Sequence, residues 1–279
     1  MTTRSLKSAS FAATRLSTLF TVLPVALLTI LASCNGSSDA AKGDEFVIAS
    51  YNIRHGAGND DLVDIARTGR AIQALGADIV ALQEVDRGVE RSGSTDQPQL
   101  LGKQLGMNPA FGAFFPYQGG EYGIAILSRF PIARVDELHL PEGNEPRIAL
   151  SAEIELPSGR HIRVISVHFD WVRNDSFRYA QAETLKAMLD TISMPMVLLG
   201  DFNDQPGSRT LALFTQSFTP AVKPDSDHFT FSSTRPNQEL DHIMFAPSNA
   251  WEPAQARIVT DTLTSDHRPV VTVARLRWQ

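Results

Sequence analysis

The sequence has only one cysteine among its 279 residues, so no disulfide can form within the chain and no cysteine-ligated zinc site is available. It also lacks a repeat with a period of roughly 20–50 residues, a long low-complexity tract and the apolar runs of a multi-span membrane protein. Its content of 43% hydrophobic and 20% charged residues suits one globular domain with a sizeable core and excludes a disordered or collagen-like chain.

Basic residues are in the minority. The chain has 25 Lys and Arg against 31 Asp and Glu, which gives a formal net charge of −6. Proteins that grip long stretches of nucleic acid without sequence preference are usually basic. The composition therefore disfavours such a role, although it is compatible with a local basic groove.

The first 33 residues are typical of a secretory signal. They contain three basic residues and no acidic one, followed by an apolar run over residues 16–31 that Pro24 interrupts and that is short for a membrane span. The run ends at Leu31-Ala32-Ser33-Cys34, which resembles the lipobox of bacterial lipoproteins, whose cysteine becomes the lipidated first residue. The alternative is an ordinary signal peptide or N-terminal anchor with an incidental cysteine. We predict a signal peptide over residues 1–33 and lipidation of Cys34.

Residues 34–44 are rich in small and polar residues and are predicted to form a flexible tether. By resemblance to lipoprotein sorting rules, Asn35 favours the outer membrane. Loss of residues 1–33 removes three positive charges, so the mature chain of 246 residues has a net charge of −9. The sequence therefore predicts a monomeric domain over residues 45–279, anchored by lipid to the cell envelope and facing the periplasm or the cell surface.

Hydrophobic periodicity in this domain predicts a mixture of hairpins and strand–helix–strand units. Strands are predicted at residues 46–52, 78–83, 124–128, 148–156, 162–168, 196–199, 240–245 and 270–276, and helices at 61–75 and 176–192. Residues 110–120, which combine aromatic residues with glycines, are interpreted as a loop that packs in the core or lines a pocket. The pattern alone indicates an α+β or α/β fold with mixed sheets.

Polar side chains fall where the predicted strands begin or end. They are Asn52, Glu84, His168, Asp201, Asn203, Asp241, Asp266 and His267. Strand ends that converge on one edge of the sheets would place these groups in one cleft. Carboxylate and amide oxygens suit Mg²⁺ or Mn²⁺, and a histidine held by a carboxylate can act as an acid or base near neutral pH. Taken singly, each also has a structural interpretation as a turn residue, a strand end or a core histidine. The other five histidines of the mature domain are interpreted as structural or surface residues.

The order and context of these groups form seven blocks that together span residues 46–276. The blocks are Ser50-Tyr51-Asn52-Ile53-Arg54, Asp78-Ile79-Val80-Ala81-Leu82-Gln83-Glu84-Val85, Gly123-Ile124-Ala125-Ile126-Leu127-Ser128-Arg129, Val167-His168-Phe169, Leu199-Gly200-Asp201-Phe202-Asn203, Leu240-Asp241-His242-Ile243 and Ser265-Asp266-His267-Arg268-Pro269-Val270. In this order the chain resembles the endonuclease/exonuclease/phosphatase superfamily, whose members include relatives of deoxyribonuclease I, exonuclease III-type repair enzymes and neutral sphingomyelinases.

The resemblance implies an α+β fold, a four-layer α/β/β/α sandwich of two mixed β-sheets flanked by helices. It implies that Glu84, Asn52 and Asp266 bind Mg²⁺ or Mn²⁺. Asp201 and Asn203 would then orient water and phosphate, and Asp241 would hold His267, which contacts phosphate and works as acid or base. His168 matches a phosphate-contacting histidine of many members, and Tyr122 and Arg147 are weaker candidates for phosphate contact.

One departure bears on the substrate. DNA-cutting members often have a basic or base-reading residue just after the glutamate, whereas here Val85-Asp86 follows, and Asp86 is expected to repel a phosphate backbone. The sequence therefore predicts a metal-dependent phosphoesterase acting on a lipid head group, a sugar or inositol phosphate or another small phosphodiester. The alternatives are an envelope nuclease and a non-catalytic lipoprotein that binds a phospho-ligand.

Overall fold

A computed structural model describes residues 43–277 of the chain. The predicted signal peptide, Cys34 and the predicted tether up to residue 42 lie outside the described residues. Within residues 43–277, no helix combines the length and hydrophobicity needed to cross a membrane.

Twelve strands and four α-helices make up the described part of the chain. The strands are β1 (Asp44–Asn52), β2 (Ile79–Arg87), β3 (Asn108–Tyr117), β4 (Gly120–Ser128), β5 (Ile132–His139), β6 (Ile148–Glu155), β7 (His161–His168), β8 (Met196–Asp201), β9 (Thr219–Pro220), β10 (Asp241–Ala246), β11 (Ala256–Ile258) and β12 (Val270–Leu276). The helices are α1 (Ile65–Leu75), α2 (Gln97–Leu105), α3 (Ser176–Leu189) and α4 (Arg209–Thr215).

The strands form two six-stranded mixed sheets. The first sheet has the order β11-β12-β1-β2-β4-β3, and the second has the order β5-β6-β7-β8-β10-β9. Each sheet contains one parallel pair near its centre, β1 with β2 and β7 with β8, and the other pairs are antiparallel. The carboxyl ends of such parallel pairs are where ligand-binding side chains collect in open sheets.

Strand alternation explains why the sheets stack and why helices cover their outer faces. In β1, Phe46 and Ile48 belong to the apolar cluster between the sheets, whereas Ala49 and Tyr51 belong to the cluster shared with α1 and α2. A third cluster joins the outer face of the second sheet to α3 and α4. The result is the predicted four-layer sandwich, because period-2 alternation gives each sheet two apolar faces.

The structure corrects the start of helix α1 and the interpretation of residues 110–120 as a loop, and it ends helix α3 at Leu189 rather than at residue 192. Helix α1 begins at Ile65 rather than at Asp61, because the Asp64 side chain accepts a hydrogen bond from the Arg67 N–H at 2.8 Å and caps the helix there. Residues 108–117 form strand β3, not a loop. Gly112 in this strand allows the sheets to pack closely, because a Cβ at that position would lie 2.5 Å from Ile148 Cδ1 of the second sheet and would force that side chain to shift.

Candidate active site

The two sheets meet at an edge where both parallel pairs end. Asn52 is the last residue of β1 and Asp201 is the last residue of β8, and the Asn52 Nδ2 group donates to Asp201 Oδ2 at 3.2 Å. The same Nδ2 group also donates to Glu84 Oε1 at 3.1 Å. Asn52 thus joins the polar groups of the first sheet to those of the second.

The second sheet places three site residues in one row. His168 of β7 and Asp241 of β10 are both in register with Asp201 of β8, so all three lie at the same level of the sheet. The His168 Nε2 atom lies 3.5 Å from Asp201 Oδ2, and each of the three residues is at most 4% exposed. Gly200 permits this arrangement, because a Cβ there would lie 2.1 Å from the carbonyl oxygen of Val167 on β7.

A β-bulge directs Glu84 into the site. The pairing of β2 with β4 shifts between Leu82 and Val85, and Glu84 has a φ of +57°. Leu82 and Val85 both belong to the cluster under the helices although they are three residues apart, so one extra residue is inserted between them. In an unbroken strand Glu84 would face the helices; the bulge turns its side chain toward Asn52 instead.

The loop before β12 supplies the remaining groups. The Ser265 hydroxyl donates to the Asn52 carbonyl oxygen at 2.7 Å and accepts from the His267 N–H at 3.2 Å, which fixes this loop to the end of β1. His267 Nδ1 is 2.9 Å from Asp241 Oδ2, and its Nε2 is 3.6 Å from Asp201 Oδ2. Ser265, which sequence analysis did not single out, therefore positions the histidine; the signal was its place in the Ser-Asp-His block.

Burial and neighbouring charges shift the pKa values of His267, Asp201 and His168 in different directions. Burial alone would lower the pKa of His267, but the carboxylates of Asp241 and Asp201 outweigh it and raise the pKa to about 10. Burial raises the pKa of Asp201 to about 7, against the opposing charge of His267. Burial, with the positive charges of Arg147 and His267, holds the pKa of His168 well below its usual range. The site therefore combines a charged histidine, a neutral histidine and a carboxylate suited to accept a proton.

Glu84 and Asp266 lack a cationic partner within the described residues. No Lys, Arg or His nitrogen there lies within 4.0 Å of either carboxylate. Asn52 Nδ2 donates to Glu84 at 3.1 Å, and the Ser265 hydroxyl, whose proton goes to the Asn52 carbonyl oxygen, lies 3.3 Å from Asp266 Oδ1. Burial raises the pKa of Glu84 and outweighs the Asn52 hydrogen bond and the charges of His267 and Arg147, which lower it, while the charge of Asp266 adds to the rise. Two interacting carboxylates without a cation from residues 43–277 in direct contact fit the oxygen-rich ligand set of a hard divalent cation.

A second, fully buried group of ligand-type residues lies beside the first. One ligand atom from each of Asp201, Asp241 and His267 falls within 4.8 Å of the others. Asp241 Oδ1 is buried and has no hydrogen-bond partner among residues 43–277. These donors could also hold a metal ion, although the Asp241–His267 hydrogen bond already uses one carboxylate oxygen and one ring nitrogen.

Arg147 supplies buried positive charge with unused donors. Its side chain is 1% exposed, its Nη2 donates to Glu145 Oε2 at 2.7 Å, and its guanidinium lies 4.7 Å from the centre of the Phe114 ring. Within the described residues its Nε and Nη1 atoms, and His168 Nδ1, are buried without a hydrogen-bond partner. Burial raises the pKa of Tyr122, and the nearby Glu84 charge adds to the effect. Both weaker candidates for phosphate contact thus lie beside the site.

Asn203 forms an Asx turn with Asp201. Its N–H donates to Asp201 Oδ1 at 2.9 Å, its Nδ2 donates to the Phe169 carbonyl oxygen at 3.0 Å, and its φ is +51°. Asp201 and Asn203 therefore form both an Asx turn and part of the site, because the turn holds Asn203 next to the loop after His168. All eight polar residues at predicted strand ends come together at this edge.

The expectation that Asp86 repels a phosphate backbone is wrong. Its side chain is 0% exposed and forms a two-pronged ion pair with Arg91, Nε to Oδ2 at 2.9 Å and Nη2 to Oδ1 at 2.8 Å. The charge of Asp86 is thus neutralised inside the protein. Sequence position alone did not indicate this pairing, because Arg91 lies in a polar stretch without a predicted strand or helix.

The comparisons with known proteins agree with this arrangement. A family model described as the endonuclease/exonuclease/phosphatase family matches residues 49–267. The uncharacterized protein YbhP of Escherichia coli (strain K12) is 29% identical over 216 residues, which cover 72% of this chain and 84% of that protein.

Solved structures show the same fold. A protein described as an endonuclease/exonuclease/phosphatase from Beutenbergia cavernae is 22% identical with a TM-score of 0.68, covering 83% of this chain and 72% of that one. A mannosyl-6-phosphatase from Bacteroides thetaiotaomicron is 20% identical with a TM-score of 0.63, covering 81% of this chain and 98% of that one. At these identities the likeness establishes the fold alone.

Proposed function

Because the chain belongs to the endonuclease/exonuclease/phosphatase family, we propose that it is a divalent-metal-dependent phosphoesterase that cleaves a phosphodiester by in-line attack of water. The observation that supports this proposal is that, in the described part of the chain, carboxylates without a cation in contact lie close to a buried guanidinium with unused donor atoms. Glu84 and Asp266 lack a cation, whereas buried Arg147 has two donor atoms without an acceptor within residues 43–277. A metal ion and a phosphate, bound side by side, would satisfy both deficits.

The residues at the ends of β7, β8 and β10, together with His267 of the loop before β12, suit the handling of water and phosphate. Asp201 has its pKa raised to about 7, so its carboxylate is suited to accept a proton from the attacking water. Asn203, fixed by the Asx turn, would orient that water or a phosphoryl oxygen. His267, charged and held by Asp241, would donate to a phosphoryl or leaving oxygen. His168, neutral and with Nδ1 unpartnered within the described residues, would act as a further donor to phosphate.

Asn52 and Glu84 of the first sheet, together with Asp266 of the loop before β12, suit metal binding. Glu84 and Asp266 would hold Mg²⁺ or Mn²⁺, with Asn52 as a third oxygen donor whose Oδ1 already accepts the Arg54 N–H at 3.1 Å. When bound, the ion would polarise a phosphoryl oxygen and stabilise the charge on the leaving group. The charge pattern favours this set over the Asp201–Asp241–His267 group, because those carboxylates already have imidazole partners.

We further propose a small phosphoester or lipid head group as the substrate. The net charge of −6 disfavours a long polyanion, and a structural neighbour described as a mannosyl-6-phosphatase is consistent with small phosphoesters being used by this fold. A nuclease is the alternative. The buried ion pair of Asp86 with Arg91 removes the expected repulsion of a phosphate backbone. A salt titration of DNA binding separates the two, because binding to long DNA weakens steeply with salt.

The direct test is hydrolysis of bis-p-nitrophenyl phosphate and of phospholipid vesicles with Mg²⁺, with Mn²⁺ and with EDTA. We expect turnover with either metal and none above background with EDTA. Absence of hydrolysis of every phosphoester tried under metal-replete conditions would contradict the proposal. Metal-dependent binding of phosphate esters without turnover would support a non-catalytic binding lipoprotein instead.

We also propose that the domain is tethered to the envelope through lipidated Cys34, on the basis of the lipobox resemblance. Globomycin, which blocks lipoprotein processing, should leave a larger precursor, and Cys34→Ser should release the protein from the membrane fraction. A mature form that begins at a residue other than Cys34 would contradict the proposal.

A further inference from the structure

A small cavity opens beside the candidate active site. It has a volume of about 150 Å³ and is lined by Arg91, Phe115, Tyr117, Tyr122 and Glu145. This is below the roughly 300–1,000 Å³ of typical small-molecule pockets, so it suits a single ring rather than a large ligand.

Two lining residues connect this cavity to the site. Tyr122 lies close enough to Glu84 and Arg147 for their charges to act on its pKa, which burial raises. Glu145 accepts a hydrogen bond from Arg147 Nη2 at 2.7 Å, while its side chain remains 33% exposed. A phosphoester whose phosphate lies near Arg147 would therefore extend its alcohol portion past Tyr122 and Glu145.

Arg91 presents one fixed donor face to the cavity. Asp86 holds its Nε and Nη2 atoms at 2.9 and 2.8 Å, and the guanidinium carbon lies 4.9 Å from the Tyr117 ring centre and 5.1 Å from that of Tyr122. Among residues 43–277, Nη1 has no hydrogen-bond acceptor, and 28% of the side chain is exposed. The guanidinium is thus held rigidly with one amino group left for a ligand.

The lining disfavours several head groups. The Arg91 guanidinium already covers one face of the Tyr117 ring and one face of the Tyr122 ring, which leaves less aromatic surface for a stacked base, and its positive charge opposes a choline-type cation beside it. A second phosphate would meet the carboxylate of Glu145. The cavity still offers a charged donor on Arg91, a charged acceptor on Glu145 and the Tyr122 hydroxyl, a set that matches hydroxyl groups, since these both donate and accept.

We propose that this cavity binds the alcohol portion of the substrate and selects a single polyhydroxylated ring, as in a sugar or inositol phosphate. This assignment rests on the proposed phosphoesterase activity and names its substrate class. The ring can belong to a soluble phosphate ester or to a lipid head group, because both present the same hydroxyls. Arg91 and Glu145 then act as specificity-determining residues.

The test compares two substrates that differ only in ring hydroxyls. Esters of myo-inositol and of cyclohexanol, each as the phosphate monoester and as the methyl phosphodiester, are assayed with Mn²⁺. We expect kcat/KM to favour the inositol ester by at least ~10²-fold, because a site built to bind hydroxyls discriminates strongly against an analogue without them. Equal kcat/KM for the two esters, or faster hydrolysis of DNA than of the inositol esters, would overturn the assignment.

Substitutions of the cavity residues test whether they cause the preference for the inositol ester. Glu145→Gln keeps the side-chain shape, and Arg91→Lys keeps a positive charge for buried Asp86. Each should reduce the inositol-to-cyclohexyl ratio at least ~10-fold. The matched control is Arg209→Lys, because Arg209 likewise forms a two-pronged pair with an aspartate, Asp175, and packs on a tyrosine ring outside this cavity. An unchanged ratio in both cavity variants would refute their role.

Two further measurements are needed. One distinguishes a lipid head group from a soluble ester as the source of the ring, and the other distinguishes failure of the cavity assignment from failure of the phosphoesterase proposal. Vesicles of phosphatidylinositol and phosphatidylcholine are compared with the soluble esters; the assignment requires phosphatidylinositol to be the better of the two lipids if either is cleaved. If bis-p-nitrophenyl phosphate is hydrolysed but neither ring ester is preferred, the cavity assignment fails while the phosphoesterase proposal stands. If no phosphoester is hydrolysed, the phosphoesterase proposal itself fails.

Discussion

The two sheets contribute unequal halves to one site. The second sheet provides His168, Asp201 and Asp241, all almost fully buried and within 4 Å of an imidazole or carboxylate partner. The first sheet provides Glu84, and the loop before β12 provides Asp266. Both are partly buried, and within the described residues neither has a nitrogen cation within 4.0 Å.

The difference indicates a division of labour. Groups whose charges are balanced inside the protein hold their geometry without a ligand, as phosphate and proton handling requires. Carboxylates left without a counter-charge are costly unless a cation binds. Asn52 donates to both halves, so it aligns the proposed metal ligand Glu84 with the proposed catalytic carboxylate of Asp201.

The largest expected effect comes from removing the charged imidazole. His267→Ala should lower kcat/KM by at least ~10²-fold, because it removes a positioned acid or base, yet it should leave Mn²⁺ affinity nearly unchanged. Steady-state kinetics and Mn²⁺ titration of the same preparation measure the two effects. His139→Ala, which removes an exposed histidine at the end of β5, is the control and should match the original protein. Near-normal turnover of His267→Ala would remove the histidine from the mechanism.

A smaller effect is expected when the histidine stays but loses its carboxylate. Asp241→Asn should lower kcat/KM about 10-fold or more, and it should shift the pH profile. The Asp241 carboxylate raises the pKa of His267, so its loss lowers that pKa, and the fall in activity on the alkaline side should begin at lower pH. The control is Asp190→Asn, at the exposed end of α3. An alkaline limb that does not move would contradict the assignment of the charged form to His267.

The smallest expected effect concerns the outer face of β10. His242 lies next to Asp241, is 5% exposed, and its Nε2 donates to the Asp204 carbonyl oxygen at 3.0 Å. Burial, with the charge of Lys223, holds the pKa of His242 well below its usual range, so only the unfolded state takes up a proton below about pH 6.5.

The free energy of unfolding should therefore fall with acidity, by about 2 kcal/mol at pH 5 from this residue. His242→Gln should remove that part of the pH dependence in urea unfolding at pH 7 and pH 5, whereas His139→Gln should not. Equal pH dependence of the two variants would show that His242 is not kept neutral by the fold.

Local pattern predicted most of the strands and the helices α1 and α3, whereas the four-layer arrangement was implied by the family resemblance. Clean alternation in residues 148–156 fixed β6, because its apolar face had to meet the other sheet. Alternation failed for β3, where Gly112 suggested a loop although the glycine serves close packing between sheets. It also missed α2, whose cap residue Asp96 lies within a polar stretch.

The identity of the candidate site residues could be predicted from the sequence. The contacts that orient these side chains and set their charge partners could not. Family likeness and strand-end position identified all eight polar groups that the structure brings together. The bulge at Glu84, the Ser265 hydrogen bonds and the Asp86–Arg91 pair depend on contacts between distant segments. No local sequence rule reports such contacts, and they are what direct the side chains.

The measurement that tests the central claim most directly is Mn²⁺ affinity, by calorimetry or electron paramagnetic resonance, in three variants of the same chain. Glu84→Gln should weaken Mn²⁺ binding by at least ~10-fold, because it removes a charged oxygen ligand, while His267→Ala and the exposed control Glu90→Gln should change it little. If His267→Ala abolished Mn²⁺ binding and Glu84→Gln left it intact, the metal would belong to the Asp201–Asp241–His267 group, and the proposed division between metal ligands and phosphate-handling residues would be wrong.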